Sequence, residues 1–139
     1  MARKQKPRVV LTKAKKKRAI ARAVLHYPGK GTLRINGYAL EAWANNKYVR
    51  MLIQEPLLLA GDLAGQVDIY VNVHGGGFMG QAVAVRGAIA KALAEIGGDD
   101  LRKKYLEYDR LLLVDDVRRV EPKKPLGPKA RAKKQTSYR

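Results

Sequence analysis

Val67-Asp68-Ile69-Tyr70-Val71-Asn72-Val73-His74-Gly75-Gly76-Gly77-Phe78-Met79-Gly80-Gln81-Ala82 contains the change of period on which the fold turns. Val67, Ile69, Val71 and Val73 alternate with polar residues, the period of a strand with one buried face. Beyond the three glycines the period lengthens. Ala82, Val85, Ile89, Leu93 and Ile96 recur at helical spacing, so residues 78–96 are predicted to form an amphipathic helix. Lys91 and Glu95 stand four residues apart on its outer side, within reach of an ion pair. Gly97-Gly98 ends the helix. Asp99-Asp100 then caps a shorter one over about residues 101–108.

Upstream, residues 18–27 read as a strand in which Ile20, Arg22 and Val24 alternate with alanines. Pro28-Gly29-Lys30-Gly31 is a turn. Residues 32–35 form a second strand closed by Asn36-Gly37, so a hairpin is expected between the two. Residues 38–44 suit one or two helical turns. Residues 47–59 form a helix with Val49, Leu52 and Ile53 on one face, which Pro56 should break or kink. Downstream, residues 111–114 read as packed loop and residues 117–120 as a last strand. After Pro122 the chain should be extended, and residues 1–14 should be irregular. No internal repeat is present. The expected architecture is α+β: a basic N-terminal arm over residues 1–14, one globular domain over 15–121 and an extended basic tail over 122–139.

The chain of 139 residues carries a net charge of +17, and the distribution of that charge matters more than its size. Residues 1–22 hold ten Lys/Arg and no acid, and residues 117–139 hold nine with the single acid Glu121; the rest of the chain sums to −1. Like charges at this density repel, and such segments order only when a polyanion supplies the counter-charge. Each phosphate they meet releases condensed counterions, which favours binding. A membrane-binding arm would be an amphipathic basic helix, whereas these ends lack bulky apolar residues on a repeating face. Lys15-Lys16-Lys17-Arg18 reads instead as a comb for phosphates. Cysteine is absent, so neither disulfides nor thiolate metal sites can form. No stretch is long and apolar enough to span a membrane or to act as a secretory signal, so a cytoplasmic location is expected.

Gly75, Gly77 and Gly80 satisfy the spacing of a dinucleotide-binding loop between a strand and a helix. That makes a nucleotide-binding enzyme the alternative class. Such a unit continues into a parallel strand ending in an acid about 20 residues on, but here the helix runs into Gly97-Gly98-Asp99-Asp100 and a further helix. No Lys-Ser/Thr pair follows the glycines, so an ATPase phosphate loop fails as well. Two roles remain open to them. They permit a tight strand-to-helix turn, and they expose backbone N–H groups that an RNA phosphate can meet. His26 and His74 have no recognisable metal-ligand spacing and read as packed or RNA-facing side chains. Asp115 and Asp116 point to opposite sides of an extended segment and read as anchors for Arg118 or Arg119. No catalytic group, metal or cofactor is expected.

Three separated blocks then point to a family. The run from Gly75 to Leu93, including Gly75-Gly76-Gly77-Phe78-Met79-Gly80-Gln81-Ala82-Val83-Ala84-Val85-Arg86-Gly87, resembles the signature of the universal small-subunit ribosomal protein nine family. Lys16-Lys17-Arg18-Ala19-Ile20-Ala21-Arg22-Ala23, Gly29-Lys30-Gly31 and Ile35-Asn36-Gly37 resemble its first hairpin. Asp116-Val117-Arg118-Arg119-Val120-Glu121-Pro122-Lys123-Lys124, Lys129-Ala130-Arg131 and Gln135-Thr136-Ser137-Tyr138-Arg139 resemble its C-terminal end. The resemblance implies a four-stranded sheet with helices on one face, like the second domain of ribosomal protein five, with a left-handed βαβ crossover. It implies a structural constituent of the small ribosomal subunit that binds ribosomal RNA in the head, beside neighbouring head proteins, and is neither membrane-bound nor an obligate homo-oligomer.

On that basis the expected ribosomal RNA contacts are Arg3, Lys4, Lys6, Arg8, Lys13, Lys15, Lys16, Lys17, Arg18 and Arg22 at the N-terminal end. Gly75, Gly76, Gly77, Gln81 and Arg86 are expected from the signature, and Arg118, Arg119, Lys123, Lys124, Lys129, Arg131 and Lys133 from the tail. The resemblance further implies that the tail reaches the anticodon stem-loop of peptidyl-site tRNA, with Lys134, Tyr138 and Arg139 as the contacting residues. Tyr138 stands where bacterial members usually have Lys, a feature resembling the archaeal and eukaryotic branch. There it would stack on a base or on neighbouring RNA, while the fork of Arg139 suits bidentate pairing with a phosphate. Pro122, Pro125 and Pro128 stiffen the start of the tail and reduce the entropy lost when it orders. If about six phosphates are neutralised, RNA affinity should fall roughly a thousandfold between low and moderate salt. A salt titration by filter binding measures it, and a flat response would rule out the basic ends as the grip.

Overall fold

The computed structural model describes residues 6–138. Five strands, β1 (Arg8–Lys16), β2 (Ala19–Tyr27), β3 (Leu33–Ile35), β4 (Tyr38–Ala39) and β5 (Asp68–His74), form one mixed sheet in the order β1-β2-β5-β3-β4. Helices α1 (Leu40–Trp43), α2 (Lys47–Ala60) and α3 (Phe78–Tyr108), with 3₁₀ turns at Gly61–Gln66 and Arg110–Leu112, complete the chain. The α+β class is as the sequence reads, but the sheet has five strands rather than four.

The additional order comes from the N-terminus. Val10, Thr12 and Ala14 alternate with exposed residues, and β1 pairs antiparallel with β2 through the turn Lys17-Arg18. Regular structure therefore begins at Arg8, inside the segment expected to be irregular. Lys13 and Lys15, which obscure this strand, lie on its exposed face, while Lys16 at its end is half-buried against Asp116.

The expected hairpin between β2 and β3 does not form. β5 lies between them, antiparallel to β2 and parallel to β3. The turn after β2 is tied to the start of β5 instead. Gly29 N–H donates to the Gln66 carbonyl at 2.6 Å, and the Asp68 carboxylate accepts the N–H groups of Lys30 and Thr32 at 2.9 and 3.0 Å. These backbone donors hold the Asp68 carboxyl below its ordinary value. Asn36 extends the pairing with its side chain, accepting from Val73 N–H and donating to the Val73 carbonyl at 2.9 and 3.1 Å.

Val67, Ile69, Val71 and Val73 are buried as the period of two requires. In β2 the buried set is the opposite of what residue size suggests: Ala19, Ala21, Ala23 and Leu25 face inward, while Ile20 and Val24 are only half-buried. Small residues here let α3 approach the sheet closely. Gly87 lies so near Ala14 that a Cβ added to it would stand 3.2 Å from the alanine methyl. Thr12 Oγ1 reaches across to donate to the Ala88 carbonyl at 2.9 Å.

The first limb of α3 carries the predicted stripe. Ala82, Val85, Ile89 and Leu93 are buried and Ile96 packs against them. Gly98, at φ 75° and ψ −162°, interrupts the helix, which resumes as the shorter helix expected toward Tyr108. The Lys91–Glu95 pair is absent because each side chain has another partner: Lys91 meets Asp115, and Glu95 meets Arg102 at 3.8 Å.

Pro56 does not break α2, which continues to Ala60. A proline forfeits one helical hydrogen bond, but here the ring is buried and its carbonyl accepts from Tyr105 Oη at 2.7 Å. Burial raises the Tyr105 phenol above its ordinary pKa, so it stays a donor. Residues 117–120 are not a strand, and Val117 and Val120 lie exposed.

The close helix–sheet contact is directly testable. Ala21→Leu, at a fully buried position, should cost about 1–3 kcal/mol by overpacking and lower the calorimetric midpoint by roughly 5–10 °C. Ala42→Leu, at an exposed position of α1, should leave the midpoint nearly unchanged.

Candidate nucleic-acid interface

Basic side chains collect in three places. The first is the corner where the β1–β2 turn meets the glycine loop. Lys16, Lys17 and Arg18 stand beside Gly76, Gly77 and Gly80 around a cleft of about 470 Å³, whose floor includes Phe78, Met79, Val83 and Val120. Gly75 and Gly76 have positive φ and press against the turn backbone; a Cβ on Gly75 would lie 2.5 Å from the Arg18 carbonyl oxygen. Close approach therefore explains Gly75 and Gly76. Gly77 has open space around it and caps α3 without a side-chain bond, leaving its backbone accessible. Gln81 does not project away from this loop; its Nε2 donates to the Gly75 carbonyl at 3.0 Å and secures the turn.

The dinucleotide-loop alternative fails on topology. The parallel neighbour of β5 is β3, which precedes it, and no strand follows α3 among the described residues.

The second place is the sheet face turned away from the helices, which carries Lys13, Lys15 and Arg22 with exposed side chains. The third is the tail. From Val117 to Tyr138 almost every residue is exposed, including Arg119, Lys123, Lys124, Lys129, Lys133, Lys134 and Tyr138. The tail is not straight, as an extended reading requires. It bends at residues 125–131, with Leu126 at φ 68°, and Arg131 turns back to make two bonds to the Glu121 carboxylate at 2.9 and 2.8 Å. That pairing holds the Glu121 carboxyl below its ordinary range. Lys6 and Arg8 are exposed ahead of and at the start of β1. Arg3, Lys4 and Arg139 lie outside the described residues.

Arg86 is the clear exception among the expected contacts. It is 7% exposed and held between Glu55 at 2.5 Å and Asp109 at 3.0 Å. Its charge ties α2, the first limb of α3 and the segment just after α3 together, and it leaves little of its side chain at the surface. Nothing in the local sequence separates it from a surface arginine, because its two acids lie 31 positions before and 23 after it.

Asp115 and Asp116 do anchor, but more widely than their sequence neighbours indicate. Asp116 binds Arg118 through Nε and Nη2, accepts Arg118 N–H at 3.0 Å, and also pairs with Lys16 at the end of β1. Arg119 has no bond to either acid among the described residues. Asp115 pairs with Lys91 at 2.6 Å, and Lys91 also donates to the Lys13 carbonyl at 3.0 Å. Together they clamp the root of the tail to β1 and α3. The Arg118 guanidinium, then the Lys16 ammonium, hold the Asp116 carboxyl far below the usual carboxylate range.

His26 and His74 lie on the outer sheet face, and the ring of His26 meets that of Tyr70 edge-on, with centroids 5.9 Å apart. Among the described residues no group of His and carboxylates could hold a metal ion, and no helix is long and apolar enough to cross a membrane. Sequence reasoning passed over Tyr70, Arg34 and the cleft residues Phe78 and Val120. Parity along each strand marks Tyr70 and Arg34 as outward-facing, but their adjacency appears only once the register is known.

Residues 14–139 match the family described as ribosomal protein S9/S16. A small ribosomal subunit protein uS9 from Pyrobaculum aerophilum is 52% identical over 134 residues, covering 96% of this chain and 93% of the relative. Its counterpart from Picrophilus torridus is 48% identical over 131 residues, covering 94% and 97%.

The clamp has an acid signature. The carboxyl of Asp116 binds its proton less tightly folded than unfolded, so its stabilisation is complete above the ordinary value of 3.8 and declines as pH falls below it. Asp116→Asn should therefore melt below the unmodified protein at pH 7, and the gap should close as pH drops under about 4. Calorimetry across that range reads it; a gap independent of pH would show that the charge on Asp116 contributes nothing.

Proposed function

The chain belongs to the ribosomal protein S9/S16 family, and from that premise we propose that it grips ribosomal RNA in the head of the small subunit and steadies peptidyl-site tRNA with its tail. It is a structural constituent of the subunit and not an enzyme. The observation that carries the reading is the state of the tail. Eight cations lie between Val117 and Tyr138, exposed, with only Arg118 and Arg131 in ion pairs among the described residues. Such a segment is electrostatically unsatisfied on its own and becomes favourable against phosphates.

The division of labour follows from the clamp. The body, over residues 15–121, docks as a rigid piece among RNA helices and neighbouring head proteins. Residues 1–14 add cations at one end, and residues 122–139 leave from the fixed point at Asp115-Asp116 toward the tRNA. Lys17, Arg18 and the Gly77 backbone form a compact phosphate-binding corner beside the clamped Lys16, where guanidinium, ammonium and a helix start converge. Lys134, Tyr138 and Arg139 supply the tRNA contacts at the tip. We also read the connection from β3 through α1 and α2 to the parallel β5 as the left-handed crossover of the second domain of ribosomal protein five. The work of the tail is positioning: charge-assisted contacts hold the anticodon stem without any bond being made or broken.

Deleting residues 135–139 should leave subunit assembly intact and weaken tRNA retention in the peptidyl site by roughly tenfold, the worth of a lost charge-assisted contact. Filter binding of tRNA to purified subunits, with sedimentation as the assembly control, tests it. Equal retention with and without those residues would refute the tip assignment.

A further inference from the structure

The sheet has two faces and the helices cover one. On the other, the register aligns residues in rows across the strands. Lys13 stands opposite Arg22, and Arg22 opposite Asn72. The next row is Leu11, Val24, Tyr70 and Arg34, and the one after it Val9, His26 and Asp68. Rows two residues apart lie about 7 Å from one another, comparable with the step between phosphates of an extended single strand.

We propose that this open face is a platform for single-stranded RNA, whose bases stack on the Leu11-Val24-Tyr70-His26 patch while Lys13, Arg22 and Arg34 hold the adjoining phosphates. The proposal deepens the RNA-binding reading and rests on it.

Three observations support this occupant. First, the patch is exposed although it is apolar: Leu11 is 74% and Tyr70 42% exposed. Apolar and aromatic side chains clustered on a solvent face mark a contact surface. Second, among the described residues the cations lack an acidic partner, and Arg34 alone of them donates, to the Gly37 carbonyl at 3.1 Å. No carboxylate pairs with Lys13, Lys15, Arg22 or Arg34 among the described residues. The one acid on the face, Asp68, already accepts two backbone N–H groups at its edge, so the face calls for an anion. Third, the chemistry is interleaved. Protein interfaces exclude Lys from their centres, whereas aromatic and aliphatic surface set between Lys and Arg suits unpaired bases joined by phosphates. Asn72 beside Arg22 adds an amide able to meet a base edge. A duplex keeps its bases stacked on each other and cannot lay them on this face.

The test uses the full chain and labelled oligoadenylate, read by fluorescence anisotropy. Tyr70→Leu keeps an apolar side chain at a partly exposed site and should weaken oligoadenylate binding about fivefold or more, with an unchanged salt slope and melting temperature. Tyr70→Phe should bind as the unmodified protein does. Arg22→Gln should reduce the salt slope by about one. An RNA duplex of equal length should compete poorly. Unchanged affinity in Tyr70→Leu, or equal competition by the duplex, would overturn the platform while leaving electrostatic RNA binding by the ends intact. An unchanged oligoadenylate affinity coupled with loss of the variant from assembled subunits would assign the face to a neighbouring protein instead. Failure of the full chain to bind any RNA at low salt would overturn the RNA-binding reading together with this one.

Discussion

The close packing of α3 on β1 and β2 is the contact from which the rest of the structure follows. Glycine and alanine on both sides, Gly80 and Gly87 against Ala19 and Ala14, bring helix and sheet backbones together. Interiors are packed like crystals, so an added methylene at such a contact must displace backbone. With α3 seated this deeply, side chains from Ala82 to Ala94 are buried on nearly every face, and α2 must pack beside it rather than elsewhere. The helices thereby occupy one side of the sheet. The basic outer face stays open, and the helix start is left next to the β1–β2 turn.

Charge is arranged in layers around that contact. Arg86 is interior, bridging Glu55 and Asp109. Lys16 and Lys91 sit at the boundary, where Asp116 and Asp115 hold them. In the tail Arg118 and Arg131 pair with Asp116 and Glu121, and the remaining cations of the turn, the open face and the tail have no acidic partner among the described residues. An acid within a few ångströms cancels much of a cation's reach, whereas a free one repels its fellows and attracts a polyanion. The few carboxylates of this chain therefore decide which cations build the fold and which are left without an acid beside them. The two-residue clamp does both, since it closes the body and fixes the point from which the tail departs.

Much of this was legible in advance where one residue's neighbours along the chain are its neighbours in space. The alternation through Val73, the stripe from Ala82 to Leu93 and the break at Gly98 are local patterns, and all three appear in the structure. Strand partners are not local. The turn at residues 28–31 looks like a hairpin connection because nothing in it announces that Asp68 will accept its N–H groups. The outward lysines hide β1, and Pro56 reads as a break or kink because the Tyr105 hydroxyl that supports its carbonyl lies 49 positions along the chain.

The sequence by itself determined that the excess charge lies in two ends suited to a polyanion, because net charge and its segregation are sums over residues and need no coordinates. It also determined the strand-glycine-helix unit, whose periods are properties of consecutive side chains. Tertiary structure alone decided the fate of individual charges: Arg86 turned inward, Lys16 clamped, Lys13 and Arg22 placed in one row with Asn72. Whether a cation is spent or free depends on the acid beside it in space, and that distance is set by packing of segments far apart in the chain.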